Sequence, residues 1–192
     1  MTTAIEPELV RRAVDGDRAA MAALLTEVRP RLVRYCRARL GRTGGAYTTA
    51  DDVAQEVCLA VLKALPRYRE QGRPFSAFVF AVAANKVADA QRAAVRNSTV
   101  DVTDAALDRP DGAPGPEQQA VATDLARRLS ALLHRLPDAQ REIITLRVAV
   151  GLTAEEVGTI LGMSAAAVRV AQSRALARLR TLAGNGLDEV AA

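Results

Sequence analysis

A chain of 192 residues, 49% apolar and 25% charged, holds enough apolar material for one large or two small packed domains, which excludes disorder throughout. Alanine fills 39 positions, tryptophan is absent, and phenylalanine and tyrosine together number six, a composition that suits closely packed helices and argues against a β-sandwich. The net charge of +4 is modestly basic, and 24 of the 26 cations are arginines, whose planar fork suits phosphate, although a solvated basic surface gives the same balance.

The first helical stripe, Leu9, Val10, Ala13 and Val14, stops near Asp15-Gly16-Asp17. Asp17 is placed to cap a longer helix carrying Met21, Leu24, Leu25, Val28, Leu32, Val33 and Tyr35, with Pro30 expected to kink or divide it. A loop over 41–49 ends in Thr48 and Thr49, which are placed as caps for a helix with Asp51 and Asp52 in its first turn, where the dipole favours anions. One face of that helix is apolar (Val53, Val57, Val61, Leu65), and the other carries Asp52, Gln55, Glu56 and Lys63. After a polar loop from Arg67 to Pro74, a further helix is expected over roughly Ser76 to Arg92.

From Arg96 to Gln118 the periodicity disappears, three prolines and two glycines accumulate, and the net charge is −3. The flanking blocks carry +5 (1–95) and +2 (119–192), so an acidic, flexible linker joins two basic modules. The second block holds a helix to Leu136 (Val121, Leu125, Leu129, Leu132, Leu133) and another from Asp138 to about Val150, with Ile143, Ile144, Leu146 and Val148 as its stripe. No strand alternation appears, and the expected class is all-α with two small helical domains, 1–95 and 119–185, a linker over 96–118 and a tail over 186–192.

The strongest local pattern runs from Thr153 to Leu182. Thr153 and Glu156 form a T-x-x-E capping box, Gly158 permits close approach of a partner helix, Gly162 breaks the short helix, Met163 plugs the turn and Ser164 caps a second helix. This is helix-turn-helix spacing. The outward side of the second helix carries Arg169, Gln172, Ser173, Arg174, Arg178 and Arg180, with no acid from Met163 to Gly184, and these residue types reach base edges and phosphates in a major groove. Four of the six aromatics, Tyr68, Phe75, Phe78 and Phe80, are interleaved with Arg67, Arg69 and Arg73, followed by Asn85, Lys86 and Arg92. They read either as platforms for unstacked bases or as an interior aromatic cluster.

Cys36 and Cys58 stand apart and His134 is the sole histidine, so neither a tetrahedral metal set nor a disulfide scaffold is expected, and no cofactor is called for. Asp51, Asp52, Gln55 and Glu56 have no histidine, lysine or phosphate loop to pair with for catalysis, which leaves a solvated or protein-docking face. The longest apolar run, Ala77 to Ala84, is far short of the ~18–20 residues that cross a bilayer, and the N-terminus lacks a secretory layout, so a cytoplasmic location is expected.

The order Ala50-Asp-Asp-Val-Ala-Gln-Glu-Val57, Leu65-Pro-Arg-Tyr68 and the stretch from Phe75 to Asp89 resembles domain 2 of extracytoplasmic-function (ECF) sigma factors. Leu136-Pro-Asp-Ala-Gln-Arg-Glu142, Leu146-Arg147, Gly151 to Val157 and Leu161-Gly-Met-Ser164 resemble their domain 4. The resemblance implies a dissociable RNA polymerase subunit without catalysis of its own, taking no small-molecule substrate, that selects promoters and helps open them. By the same resemblance Asp51, Asp52, Gln55 and Glu56 dock on the β′ clamp, and domain 4 meets the β flap. Arg69, Arg73, Phe75, Phe78, Asn85, Lys86 and Arg92 serve the −10 element, whose flipped base is captured by the loop Arg69 to Ser76. Ser164, Arg169, Gln172, Ser173, Arg174 and Arg178 serve the −35 element, and the acidic linker threads the RNA channel. Members are often held by an anti-sigma partner, which is also their only link to a membrane. Phe78 stands where members usually have tryptophan, and Ala171 where a basic residue often stands, so promoter preference does not carry over. The alternative from another class is an operator-binding helix-turn-helix regulator with an N-terminal sensing domain; a pure interaction module leaves the arginine face without a purpose.

Overall fold

The helices that start at Arg18, Ala50, Ala154 and Ala165 each begin where a side chain satisfies orphan amides of the first turn. The computed structural model describes residues 5–40, 49–69, 74–97 and 128–188. Helix α1 spans Pro7–Val14, and Gly16, at φ 92°, makes the left-handed turn into α2, Arg18–Leu40. The Asp17 carboxylate accepts from the amides of Ala19 (2.9 Å) and Ala20 (3.2 Å), as its position predicts. Pro30 does not divide α2. It lies on the exposed side, where water can take the carbonyl whose partner proline removes.

Thr49 caps α3 (Ala50–Ala64), followed by a single 3-10 turn at Leu65–Arg67. Helix α4 covers Phe75–Asn97 and so runs past the expected end near Arg92 into the start of the expected linker. The rest of that linker, from 98 on, lies outside the described residues, as do Val121 and Leu125. Helix α5 is described over 128–134, and α6 spans Asp138–Ile144. The chain then widens into a π turn, Thr145–Val150, closed by Gly151 at φ 88°. Helices α7 (Ala154–Leu161) and α8 (Ala165–Asp188) complete an all-helical chain, with no strand among the described residues.

Helix α2 is the hub, packing on α1, α3, α4 and the π turn. Leu24, Val28, Leu32, Tyr35 and Cys36 meet Val53, Val57 and Val61 of α3 and Val79, Phe80 and Val87 of α4. Each such burial is worth ~1.5–3 kcal/mol. The same apolar cluster continues without a break into Ile143, Leu146, Val150, Leu152, Val157 and Val168. The two helical blocks are therefore packed against each other, which the sequence alone did not indicate. A smaller cluster of Leu133, Leu136, Ile144 and Ala175 holds α5 and α6 on α8, with Leu176 and Leu179 beside it. Leu129 and Val148, expected in apolar stripes, are 52% and 60% exposed. Val148 comes two positions after fully buried Leu146 in the π turn, which puts it on the opposite side of the helix.

Candidate nucleic-acid interface

The helix-turn-helix is built from its caps inward. Thr153 N donates to Glu156 Oε2 (2.8 Å) and Glu156 N to Thr153 Oγ1 (3.1 Å), the reciprocal capping box that the spacing predicts. Gly162 takes the left-handed conformation at φ 68°, and Ser164 Oγ accepts from Ala167 N at 3.1 Å to start α8. Gly158 lets the turn and the start of α8 approach closely. A Cβ there would stand 2.5 Å from the Met163 carbonyl oxygen, and Met163 N donates to Gly158 O at 2.8 Å. Val168 and Ala175 are fully buried beneath α8 and fix its rotation.

That rotation exposes Arg169, Ser173, Arg174, Arg178 and Arg180. At 100° per residue, Arg169, Ser173 and Arg180 fall in one row and Arg174 and Arg178 in the next. Arg174, Arg178 and Arg180 make no ion pair among the described residues. Arg169 does: its Nη2 lies 2.5 Å from Glu155 Oε1 on α7, so the face that is acid-free along α8 receives one carboxylate from its neighbour. The Glu155 carboxyl lies below the usual range, chiefly through its own backbone N–H at the start of α7, with the Arg169 charge adding to it. Both side chains are exposed and screened by water, so the pair is weak and a phosphate can displace it.

Gln172 is placed differently from its expected outward position. It is half-buried on the side nearest Val168, and its Oε1 accepts from Arg147 Nε at 2.9 Å. Arg147 in turn donates from Nη1 to the Leu152 carbonyl, so one arginine ties the π turn to α8. Arg147 was visible in sequence only as part of a motif, and nothing local marks its partner 25 residues away.

The aromatic group is largely interior. Phe75 and Phe80 are buried, Phe80 edge-on to Tyr35 at 5.5 Å, while Tyr68 and Phe78 are half-buried against Phe75 at 5.3 and 5.7 Å. The interior alternative therefore describes Phe75 and Phe80, and only Tyr68 and Phe78 keep edges toward solvent. Arg69 is exposed and donates to the carbonyls of Pro66 (3.2 Å) and Tyr68 (3.0 Å). Asn85 is exposed, Arg92 pairs with Asp89 at 2.5 Å, and Arg73 lies outside the described residues.

On α3, Asp52 is engaged by its own cap, accepting from Thr49 N (2.8 Å) and Thr49 Oγ1 (2.8 Å), and these bonds hold its carboxyl below the usual aspartate range. Asp51 pairs with Arg37 of α2 at 2.7 Å. Glu56 lies 3.3 Å from Lys86 of α4, which joins a residue expected on the −10 side to one expected on the polymerase side. Gln55 and Leu59 stand exposed on the same face. Sequence reasoning did not single out Arg37, Glu155 or Leu59.

No group of three or more metal-binding side chains occurs among the described residues. The Cys36 thiol is pushed up to about 12 by burial, and burial also pushes Cys58 up, so both are protonated packing groups. No described helix is long and apolar enough to cross a membrane.

Two family models match the chain in the order of its two helical blocks: Sigma-70 region 2 over residues 24–97 and Sigma-70, region 4 over residues 132–181. The chain is 56% identical over 184 residues to the ECF RNA polymerase sigma factor ShbA of Streptomyces griseus, covering 94% of this chain and 96% of that one. It is 52% identical over 172 residues to the ECF RNA polymerase sigma factor SigD of Mycobacterium tuberculosis, covering 90% and 81%. Among solved structures it is similar to CnrH in complex with the cytosolic domain of CnrY, with TM-score 0.68 and 26% identity over 93% of this chain and 96% of that one.

Proposed function

The chain belongs to the ECF sigma factors of the sigma-70 family, subunits that direct RNA polymerase to promoters, and from that premise we propose how its own residues divide the work. Helix α8 reads the −35 element from the major groove. Arg169 and Arg174 approach base edges, Ser173 bonds whichever edge or phosphate it meets, and Arg178 and Arg180 hold the backbone. Ser164 caps α8 and Gln172 anchors it, so these two position the readers. The observation that carries this reading is the set of four exposed arginines on the second helix of a capped helix-turn-helix, three of them without an acid among the described residues.

At the other end, Arg69, Asn85 and Arg92 supply the polar contacts of the −10 side. The exposed edges of Tyr68 and Phe78 receive an unstacked base, whose extrusion costs a few kcal/mol that stacking offsets. Phe75, being interior, shapes the pocket from behind, and Lys86 and Arg73 complete the basic surround. Gln55, Glu56 and Leu59 form the docking face for the β′ clamp. Asp51 and Asp52 support it by fixing the start of α3. Region 4 meets the β flap, and the chain works in the cytoplasm without cofactor or catalysis of its own. A partner resembling CnrY, which binds CnrH, is a candidate for holding this chain inactive. The operator-regulator alternative gives no role to a matched region 2.

Docking is tested by competition for core polymerase. Changing Gln55 and Glu56 together to Ala weakens competition against the wild type while helix content by circular dichroism stays the same. Full competition by the double variant removes the docking assignment.

A further inference from the structure

We propose that Val170 is a further specificity-determining residue of α8, which reads a thymine of the −35 element by seating its isopropyl group on the C5 methyl of that base. This rests on the reading given above, in which α8 enters the major groove at −35.

The rotation set by Val168 and Ala175 points Val170 away from the core, about 140–160° around α8 from each of them, and it is 50% exposed. Leu176, Leu179 and Leu182 are half-buried, so Val170 is the one large aliphatic side chain of α8 on the outer face among the described residues. It belongs to neither apolar cluster. Ala166, Val170, Ser173 and Ala177 form a single exposed ridge down the middle of that face. Arg169 and Arg180 flank the ridge on one side, Arg174 and Arg178 on the other. Arg169 turns toward α7, its Nη2 2.5 Å from Glu155 Oε1, and leaves the isopropyl group uncovered.

A single exposed aliphatic side chain is ordinary on a protein surface. What distinguishes this one is its place, centred between cations on a face with no acid of its own. A β-branched side chain is also a poorer helix former than the alanines and arginines around it, so at a merely solvated position it contributes nothing to α8. Val170 is the sixth residue of α8, within the N-terminal turns that a recognition helix lays against base edges. With alanine at 166 and 177 and serine at 173, it is the largest side chain on the ridge and the first to meet the floor of the groove. It has no donor or acceptor. The apolar group that a base presents in the major groove is the thymine C5 methyl, and that is what an isopropyl group can recognise.

Phosphate contacts by the flanking arginines bring α8 to any duplex and carry no sequence information, so discrimination falls to the groups that touch base edges. Val170 adds both an attraction and a penalty. Thymine supplies a methyl partner, whereas cytosine in its place lacks the methyl and turns its N4 donor toward a side chain that cannot accept from it. Ser173 and Arg174, three and four positions on, are the surface neighbours of Val170, so the thymine lies beside the base edges or phosphates that those two meet.

The experiment uses holoenzyme assembled from core polymerase and the full chain, on a promoter recovered by transcription with that enzyme. Each thymine of the −35 element, on either strand, is replaced in turn by uracil, which lacks the C5 methyl and keeps every hydrogen-bonding group. Wild-type holoenzyme is expected to lose about fourfold in affinity at one of these positions, the weight of one buried methyl. Val170→Ala is expected to lose about fourfold on the unmodified promoter and to bind thymine and uracil equally at that position, so the two changes do not add. Its helix content stays that of the wild type, because Val170 packs in no cluster. Three results overturn the proposal: a wild type indifferent to uracil at every thymine, a −35 element without an A·T pair, or a Val170→Ala holoenzyme that still distinguishes the two bases. Arg174→Ala separates this claim from the reading beneath it. If Arg174→Ala and Val170→Ala both bind as the wild type does, α8 is not the −35 reader. If Arg174→Ala alone weakens binding, α8 keeps that role and only the thymine contact falls.

Discussion

In α1–α4 several cations are met by acids of the same block: Arg11 lies 2.5 Å from Glu8, Arg12 2.5 Å from Asp17, Arg37 2.7 Å from Asp51, Lys86 3.3 Å from Glu56 and Arg92 2.5 Å from Asp89. Along α8, Arg169 alone meets an acid, and Arg174, Arg178 and Arg180 have none among the described residues. The difference is one of net gain. A paired cation must give up its carboxylate to take a phosphate, so it only exchanges partners, whereas a free arginine releases a DNA counterion and keeps the whole contact. The acid-free arginines of α8 therefore favour the duplex backbone, while at the −10 end Lys86 and Arg92 are already paired and more of the work falls to shape and to stacking at Tyr68 and Phe78. Charge at the two ends is arranged for two different substrates, paired duplex and opened strand.

Removing the support under α8 breaks that contrast most severely. Gly158→Ala forces a methyl group against the Met163 carbonyl oxygen, where 2.5 Å is available. It is expected to cost ~1–3 kcal/mol or more, read as a lower urea midpoint and lost −35 duplex binding. A midpoint equal to wild type means the turn does not need its glycine. Of similar size but confined to binding, Arg174→Ala costs ~1–3 kcal/mol on the −35 duplex. Arg92→Ala, which only breaks an exposed i,i+3 pair, changes stability by no more than ~0.5 kcal/mol. Filter or fluorescence titrations over a salt series sharpen the point, because Arg178→Ala reduces the slope of log K against log salt by about 1. If Arg92→Ala changes that duplex slope as much as Arg178→Ala does, the contrast is wrong.

The smallest effect concerns the cap of α3. The Thr49 amide and hydroxyl hold the Asp52 carboxyl below the ordinary aspartate value of about 3.9, so the folded state binds the proton less readily than the unfolded one. Its contribution is complete above that ordinary value and is lost as pH falls through the lowered folded value. Helix α3 is expected to fray at its start below about pH 4, and Asp52→Asn to remove that acid dependence, both visible in amide exchange of Ala50–Val53.

Features set by local chemistry were legible in the sequence. Asp17, the Thr49 cap, the Thr153–Glu156 capping box, the Gly162 turn and the Ser164 cap each need only residues a few positions apart, and each forms where the spacing put it. Long-range partners were not legible. Periodicity says that Tyr35 faces inward but not that it meets Glu142, 107 positions later, and it cannot show that Arg147 would take the oxygen of Gln172. The aromatic cluster was ambiguous for a related reason. Helical spacing with interleaved arginines describes a base platform and an interior cluster equally well, and the packing of Phe75 and Phe80 decides between them. Pro30 does not end α2 because a proline on the solvent side of a long, well-packed helix forfeits one bond without breaking the rest.

Transcription reconstituted from purified core polymerase, this chain and genomic fragments tests the central claim most directly. Discrete run-off products are expected only when the chain is present, their start sites are expected to share −10 and −35 sequences, and Arg174→Ala should weaken those with the best −35 match. Products that are equally numerous and equally scattered with and without the chain would contradict it.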